Sequence, residues 1–141
     1  MSAPSGLHLC YALAARKTDR YLSRLYDSHL APTGLSASQL AILGLLKMHG
    51  PLKIAALANR LILERTSLVR ALSPLQASGW VTAKRSDNDR AFDVALSPSG
   101  MEKLAEAMPL WEEAQAAFEE EVGRDRAIRL RDEILALNFG G

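Results

Sequence analysis

At 141 residues, 48% hydrophobic and 23% charged, the chain suffices for one domain with its own core and is too apolar for a disordered segment. No run approaches the ~18 consecutive apolar residues of a membrane span, and residues 1–6 lack a basic start leading into an apolar stretch, so a cytoplasmic protein is expected. The formal net charge is only +1, but it is uneven: residues 51–90 hold seven basic side chains against three acidic, and residues 101–141 five against ten. An even spread would argue against a nucleic-acid partner; a basic segment of this kind does not.

In chain order, residues 7–30 read as one long helix with Cys10, Leu13, Ala14, Tyr21 and Leu25 near one side, stopped by Pro32 and Gly34. Ser36 followed by Gln39 is a capping-box pattern. A second helix should begin there, carry Leu40, Leu43 and Leu46, and stop at His49-Gly50-Pro51, its bulk flooring the next unit.

Residues 54–90 hold the pattern around which the rest is arranged. Ile54, Leu57, Ala58 and Leu61 recur with a period of about 3.6 and so share one helix face. Ile62, Leu63 and Glu64 form a brief connection, after which Leu68, Ala71, Leu72 and Leu75 resume the same period on another helix. Rotation by about 100° per residue from that stripe puts Thr66, Arg70 and Ser73 on the opposite face, with Arg65, Ser67 and Val69 on its flanks. A short, polar, cationic face suits a helix laid in the DNA major groove, where Arg donates twice to guanine. The helix start lacks a Ser or Thr cap, although Glu64 favours the positive end of the dipole, and Pro74 should kink or tighten the helix.

Residues 80–85 and 91–97 read as strands, because Phe92, Val94 and Leu96 alternate with Ala91, Asp93 and Ala95. Between them, Ser86-Asp87-Asn88-Asp89-Arg90 forms a turn. It is read as the tip of a hairpin wing, with Lys84 and Arg85 on the rising strand and Arg90 placed to enter the adjacent minor groove. Alone, such a loop is merely a solvated turn; beside a two-helix unit with an exposed Arg it favours DNA binding.

Ser97-Pro98 is a helix start, Ser as cap and Pro in the first turn. The long helix that follows carries Leu104, Met108, Trp111 and Gln115 on related faces, and Pro109 predicts a kink. Gly123 breaks the pattern, and residues 124–138 form a last helix with Ile128, Ile134, Leu135 and Leu137. The apolar stripes of the first and last helices exceed what one small winged unit can cover, so a two-fold dimer is expected, with recognition helices one helical turn of DNA apart or a small multiple and an inverted-repeat operator.

No enzyme, cofactor or metal is expected. The three histidines are scattered, there is no Gly-rich phosphate loop, and His8 and Cys10 with His29 or His49 match no zinc spacing. The single cysteine, Cys10, excludes an internal disulfide and fits a reducing compartment, where its plainest role is that of a small buried hydrophobe.

Residues 35–100 resemble the MarR family of bacterial transcription regulators. The resemblance is carried by Gly34-Leu35-Ser36 with Gln39 and Leu43, Pro51-Leu52, Leu57-Ala58, Arg65-Thr66, Arg70, Leu75, Ser78-Gly79-Trp80-Val81, Arg90 and Leu96-Ser97-Pro98-Ser99-Gly100, in that order and spacing. It implies a mainly α fold with a small β-hairpin wing: a winged helix-turn-helix over 36–100 and dimerisation helices over 7–31 and 98–138, all within a single domain of 1–141. It also implies an obligate homodimer binding double-stranded DNA as a repressor, with Thr66 and Arg70 in the major groove and Arg90 in the minor groove. Asn88 stands where the family usually has Asp, with Asp87 and Asp89 on either side.

In the family, small and often aromatic acids bind between the dimerisation and DNA-binding parts. Tyr21, Met108 and Trp111 are candidates to line such a pocket, and Arg16, Arg20 or His29 to pair with a carboxylate. Two alternatives stand beside this reading. The family's organic-hydroperoxide-sensing branch carries a reactive cysteine after a leucine, as in Leu9-Cys10, with a supporting tyrosine at the place of Tyr26, although a second tyrosine of that branch is Ala14 here. The other is a winged-helix module that docks a protein.

Overall fold

The computed structural model describes residues 6–85 and 91–139. Its helices are α1 (Tyr11–Leu30), α2 (Ala37–His49), α3 (Ile54–Leu61), α4 (Arg65–Ala77), α5 (Pro98–Val122) and α6 (Arg124–Ala136). Three strands, β1 (Leu52–Lys53), β2 (Val81–Arg85) and β3 (Phe92–Leu96), form an antiparallel sheet in the order β1-β3-β2. The mainly helical fold with a small sheet agrees with the expected winged helix-turn-helix. β1, whose Leu52 pairs with Val94, was not foreseen, since two residues are too few to show a strand's alternation.

The expected first helix is interrupted. Leu7–Leu9 form a 3-10 turn, Cys10 is extended with φ −67° and ψ 123°, and α1 starts only at Tyr11. No side chain of the 3-10 turn is buried, so it gains no core packing from continuing the helix. Later, two prolines fall inside helices that run on past them, Pro74 in α4 and Pro109 in α5. Both prolines, and the residues four positions earlier whose carbonyls lose an N–H partner, lie on exposed faces where water can substitute.

The core is built from the apolar stripes anticipated for α2, α3 and α4. Leu43, Leu46, Leu57, Leu68 and Leu75 are almost completely buried, with Val94 from the sheet and Leu30 from the end of α1. Each such side chain contributes roughly 1.5–3 kcal/mol relative to exposure. The corner between α1 and α2 is held by polar bonds. Thr33, itself buried, donates from Oγ1 to the Leu30 carbonyl (2.7 Å) and accepts from the Leu35 N–H (3.1 Å). At the start of α2 the full capping box forms between Ser36 and Gln39, and Asp27 of α1 accepts from the Ala37 N–H at 2.7 Å.

The wing meets α5 through backbone. The Ser97 N–H donates to the Trp80 carbonyl (3.0 Å), while its hydroxyl donates to the Gly79 carbonyl and caps α5 by accepting from the Gly100 N–H (2.9 Å). Gly100 is buried here, and a Cβ on it would lie 2.0 Å from the Trp80 carbonyl oxygen and 2.7 Å from Leu96 Cδ1. That clash is with backbone and cannot be relieved by a rotamer. α1 packs along α5, where the Tyr26 hydroxyl donates to Gln115 Oε1.

Gly100→Ala should therefore cost about 3 kcal/mol through overpacking, read as a lower denaturant midpoint, whereas Gly44→Ala, with open space at its Cβ, should not be destabilised by any such contact. Burial first, and the nearby Glu119 carboxylate second, hold the Tyr26 phenol above its usual pKa of 10.0. The unfolded chain loses this proton more readily, so the stability it confers is intact below about pH 10 and is lost as pH rises beyond it. In alkaline denaturation Tyr26→Phe should show a shallower decline above pH 10 than the parent.

Candidate nucleic-acid interface

α3 and α4 form the helix-turn-helix. Between them Ile62 takes the left-handed conformation, φ 55° and ψ 44°, and the Leu63 N–H donates to the Ala58 carbonyl at 2.9 Å. This closes α3 in the way a glycine usually does, although a side chain at such a position costs about 1–2 kcal/mol. Ile62 itself is 65% exposed, so the turn is imposed by the packing of the two helices rather than by its own side chain.

α4 buries Leu68, Leu72 and Leu75 and presents Thr66, Arg70 and Ser73 on the far side, with Arg65, Ser67 and Val69 also exposed. Every residue expected on the reading face is thus solvent-facing. Glu64 is the N-cap, as expected from its charge, but its side chain makes no capping hydrogen bond. Gln76 was missed: it is exposed on the same flank, about two turns beyond Val69 and about three beyond Arg65, a position that the helical period does specify.

Wing and recognition helix share a cleft of about 280 Å³, walled by Arg65, Val69, Leu72 and Gln76 of α4 and by Ile54, Ala83 and Phe92. On the rising strand the two expected cations diverge, because successive strand residues face opposite sides. Arg85 sits on the α4 side, its guanidinium 5.5 Å from the centroid of the Phe92 ring opposite it, a cation–π contact worth about 0.5–1 kcal/mol at an exposed site. Lys84 lies on the other side, in register with Asp93, whose carboxylate also pairs with Lys53 Nζ at 3.3 Å. Arg90 and the rest of the wing tip, residues 86–90, lie outside the described residues.

The residues expected around a ligand do not converge within one chain. Arg16 and Arg20 are exposed on the first half of α1, and the Tyr21 ring stands 6.4 Å from that of Phe118. His29 Nδ1 is 3.7 Å from Glu113 Oε2, while Met108 and Trp111 are half-buried against the core. A cleft of about 230 Å³ does exist between α1, α5 and α6, lined among others by Leu22, Tyr26, Gln115, Phe118, Ile128 and Arg131, and by none of those six. No periodicity reveals it, because its walls come from three helices set apart in the chain. Cys10 is half-buried at the N-cap of α1. Sixteen residues along one helix separate it from Tyr26, about 24 Å, so the two cannot meet within one chain.

Comparison with known proteins matches this geometry. The sequence profile of the MarR family matches residues 33–91, from the α1–α2 corner to the start of β3. The structure resembles that of the transcriptional regulator MosR of M. tuberculosis, with 30% identity, 92% of this chain and 93% of that one covered, and a TM-score of 0.78. The DNA complex of MosR aligns at 28% identity over 91% and 98% of the two chains, with a TM-score of 0.75. NadR in complex with 4-hydroxyphenylacetate aligns at 26% identity over 97% of both chains, with a TM-score of 0.75. An uncharacterized HTH-type transcriptional regulator of Bacillus subtilis, YwoH, is 25% identical over 99 residues, 70% of this chain and 71% of that protein. With its reading helix exposed, its wing strands paired and 92% of its length shared with MosR at 30% identity, the chain belongs to the MarR family of transcriptional regulators.

Proposed function

We propose that the chain is a homodimeric repressor that binds an inverted-repeat operator in double-stranded DNA and is released by a small aromatic acid. The observation that carries this is the face of α4: an uninterrupted exposed run of Arg65, Thr66 and Ser67, continued by Arg70 and Ser73, backed by a filled leucine core. A face with that chemistry, held rigidly from behind, is what major-groove readout requires. Arg70 is assigned to a guanine edge, Thr66 to bases or phosphates, Lys84 and Arg85 to the backbone, and Arg90, by its place in the family pattern, to the minor groove. The likeness to MosR bound to DNA supports the assignment. No catalytic step is assigned, and the protein acts in the cytoplasm, where the chromosome lies.

Dimerisation is supported by the apolar surface that one chain leaves uncovered. Leu7, Leu9, Tyr11 and Leu13 at one end, and Leu130, Ile134, Leu135 and Leu137 on and after α6, are all exposed. Leu130, Ile134 and Leu135 also wall the α1–α5–α6 cleft, and a second copy would bury this apolar surface. The liganded NadR supports the class of effector. To move the protein from mostly bound to mostly free, that effector must favour, by several kcal/mol, a dimer arrangement whose two wings no longer match successive grooves.

Arg70→Ala should relax base preference at one position of each half-site at a cost of about 1–3 kcal/mol, whereas Arg90→Ala should weaken all duplexes more evenly. Competition binding against single-base variants of the operator separates the two; parent-like behaviour from both would contradict the reading face. Leu135→Glu adds a charge to a side chain that is 68% exposed in one chain, so it should leave the fold intact yet give a monomer in sedimentation velocity and lose operator affinity. A variant that stays dimeric would place the interface elsewhere.

A further inference from the structure

Lys103, on the second turn of α5, has a side chain only 20% exposed and spends its charge inside the protein. Its Nζ donates to the Thr33 carbonyl (3.0 Å), lies 3.1 Å from Glu106 Oε2, and stands 5.1 Å from the centroid of the Trp80 ring. An ammonium has three N–H donors and no acceptor, so the carbonyl, the carboxylate and the aromatic face together satisfy it. The three partners belong to three different parts of the molecule. Thr33 closes the α1–α2 corner and is fixed by its own bonds to Leu30 and Leu35; Glu106 lies one turn along α5; Trp80 immediately precedes β2 and receives the Ser97 N–H.

We infer that Lys103 is a positioning residue that sets the angle between the wing and the dimerisation helices, and through it the separation of half-sites the dimer accepts. The inference rests on the DNA-binding dimer proposed above. The leucine core is built without Lys103, and of its three partners only Trp80 packs against that core. What Lys103 adds is a link from the root of the wing to α5, which leads into α6 with its exposed leucines, and to the end of α1, whose start bears the exposed Tyr11 and Leu13. Two recognition helices joined through those helices must match successive grooves about 34 Å apart, so a small rotation at this joint displaces one of them from its half-site. Arginine would not substitute freely, because its planar fork does not match three partners arranged around a compact ammonium.

The test uses the full chain. The parent protein selects a duplex from a random library, and the half-site separation of that duplex is then changed by one or two base pairs. Parent and Lys103→Met are compared by competition anisotropy on the set, with thermal melts of both. The parent should prefer the selected separation by about tenfold or more, and Lys103→Met should narrow that preference to about threefold or less while still melting cooperatively. An unchanged preference, or an equal loss of affinity at every separation, overturns the inference. If the parent selects no duplex, the DNA-binding reading itself fails and the inference falls with it. Lys103→Gln, which keeps a donor for the Thr33 carbonyl but removes the charge, replaces the methionine variant if the latter does not fold; a preference as sharp as the parent's would again overturn the role of the cation.

Discussion

The close approach of Gly100 to the Trp80 carbonyl is the constraint on which the arrangement of this molecule depends. A β-hairpin of this size has little stability of its own, and its direction is set by what its root is fastened to. Here the root is fastened to the first turn of α5 by the Ser97 N–H, the Ser97 hydroxyl and a contact so close that only glycine fits. The same turn starts the helix that carries α6 and packs along α1. The wing is therefore aimed by the dimerisation scaffold, and any change in how two copies pack would be felt at the wing. That is the physical link a ligand-responsive DNA-binding protein needs: a binding event among α1, α5 and α6 has a short, stiff route to the DNA-facing surface.

Charge follows the same division. The winged unit is basic and the two C-terminal helices are acidic, so the net charge of +1 conceals a polar molecule. The acidic end would repel the phosphate backbone and the basic end attract it, which orients an approaching protein before any base is read. Several acidic side chains of that end are engaged locally, among them Glu113 with His29 and Glu119 with Arg124 at 3.5 Å. Ile62 adds a second kind of specialisation: a β-branched residue held at positive φ where the two helices of the reading unit turn. Its strain is offset by the packing on either side of it, which keeps α4 at a fixed angle to α3.

Much of this could be read from local sequence because it is local in origin. The outward face of α4 follows from where Leu68, Leu72 and Leu75 fall, and the start of α2 from Ser36 and Gln39 three residues apart. The start of α5 follows equally from Ser97-Pro98. What escaped depends on contacts between distant segments. β1 exists only because β3 lies beside it, and the break at Cys10 falls where no side chain of residues 7–9 is buried. The α1–α5–α6 cleft brings Thr18 together with Leu135, and Lys103 meets Thr33 across seventy residues of chain, both beyond the reach of any periodicity. Lys84 and Arg85, adjacent in sequence and read together as wing cations, face opposite sides of the sheet, a divergence that appears only once the strand and its register are in place.

The central claim is that the basic winged surface, and not a protein-docking patch on the same helices, is what this molecule uses. The dependence of duplex binding on salt tests it most directly. Counterion release makes the logarithm of the binding constant fall by about 0.9 per phosphate contact for each log unit of salt. With six or more phosphates contacted by a dimer, affinity for a selected duplex should drop about a thousandfold or more between about 50 and about 200 mM salt, while preference over a shuffled duplex persists. Binding that is indifferent to salt, or absent at the lower concentration, would contradict the account and assign the exposed face of α4 to a protein partner.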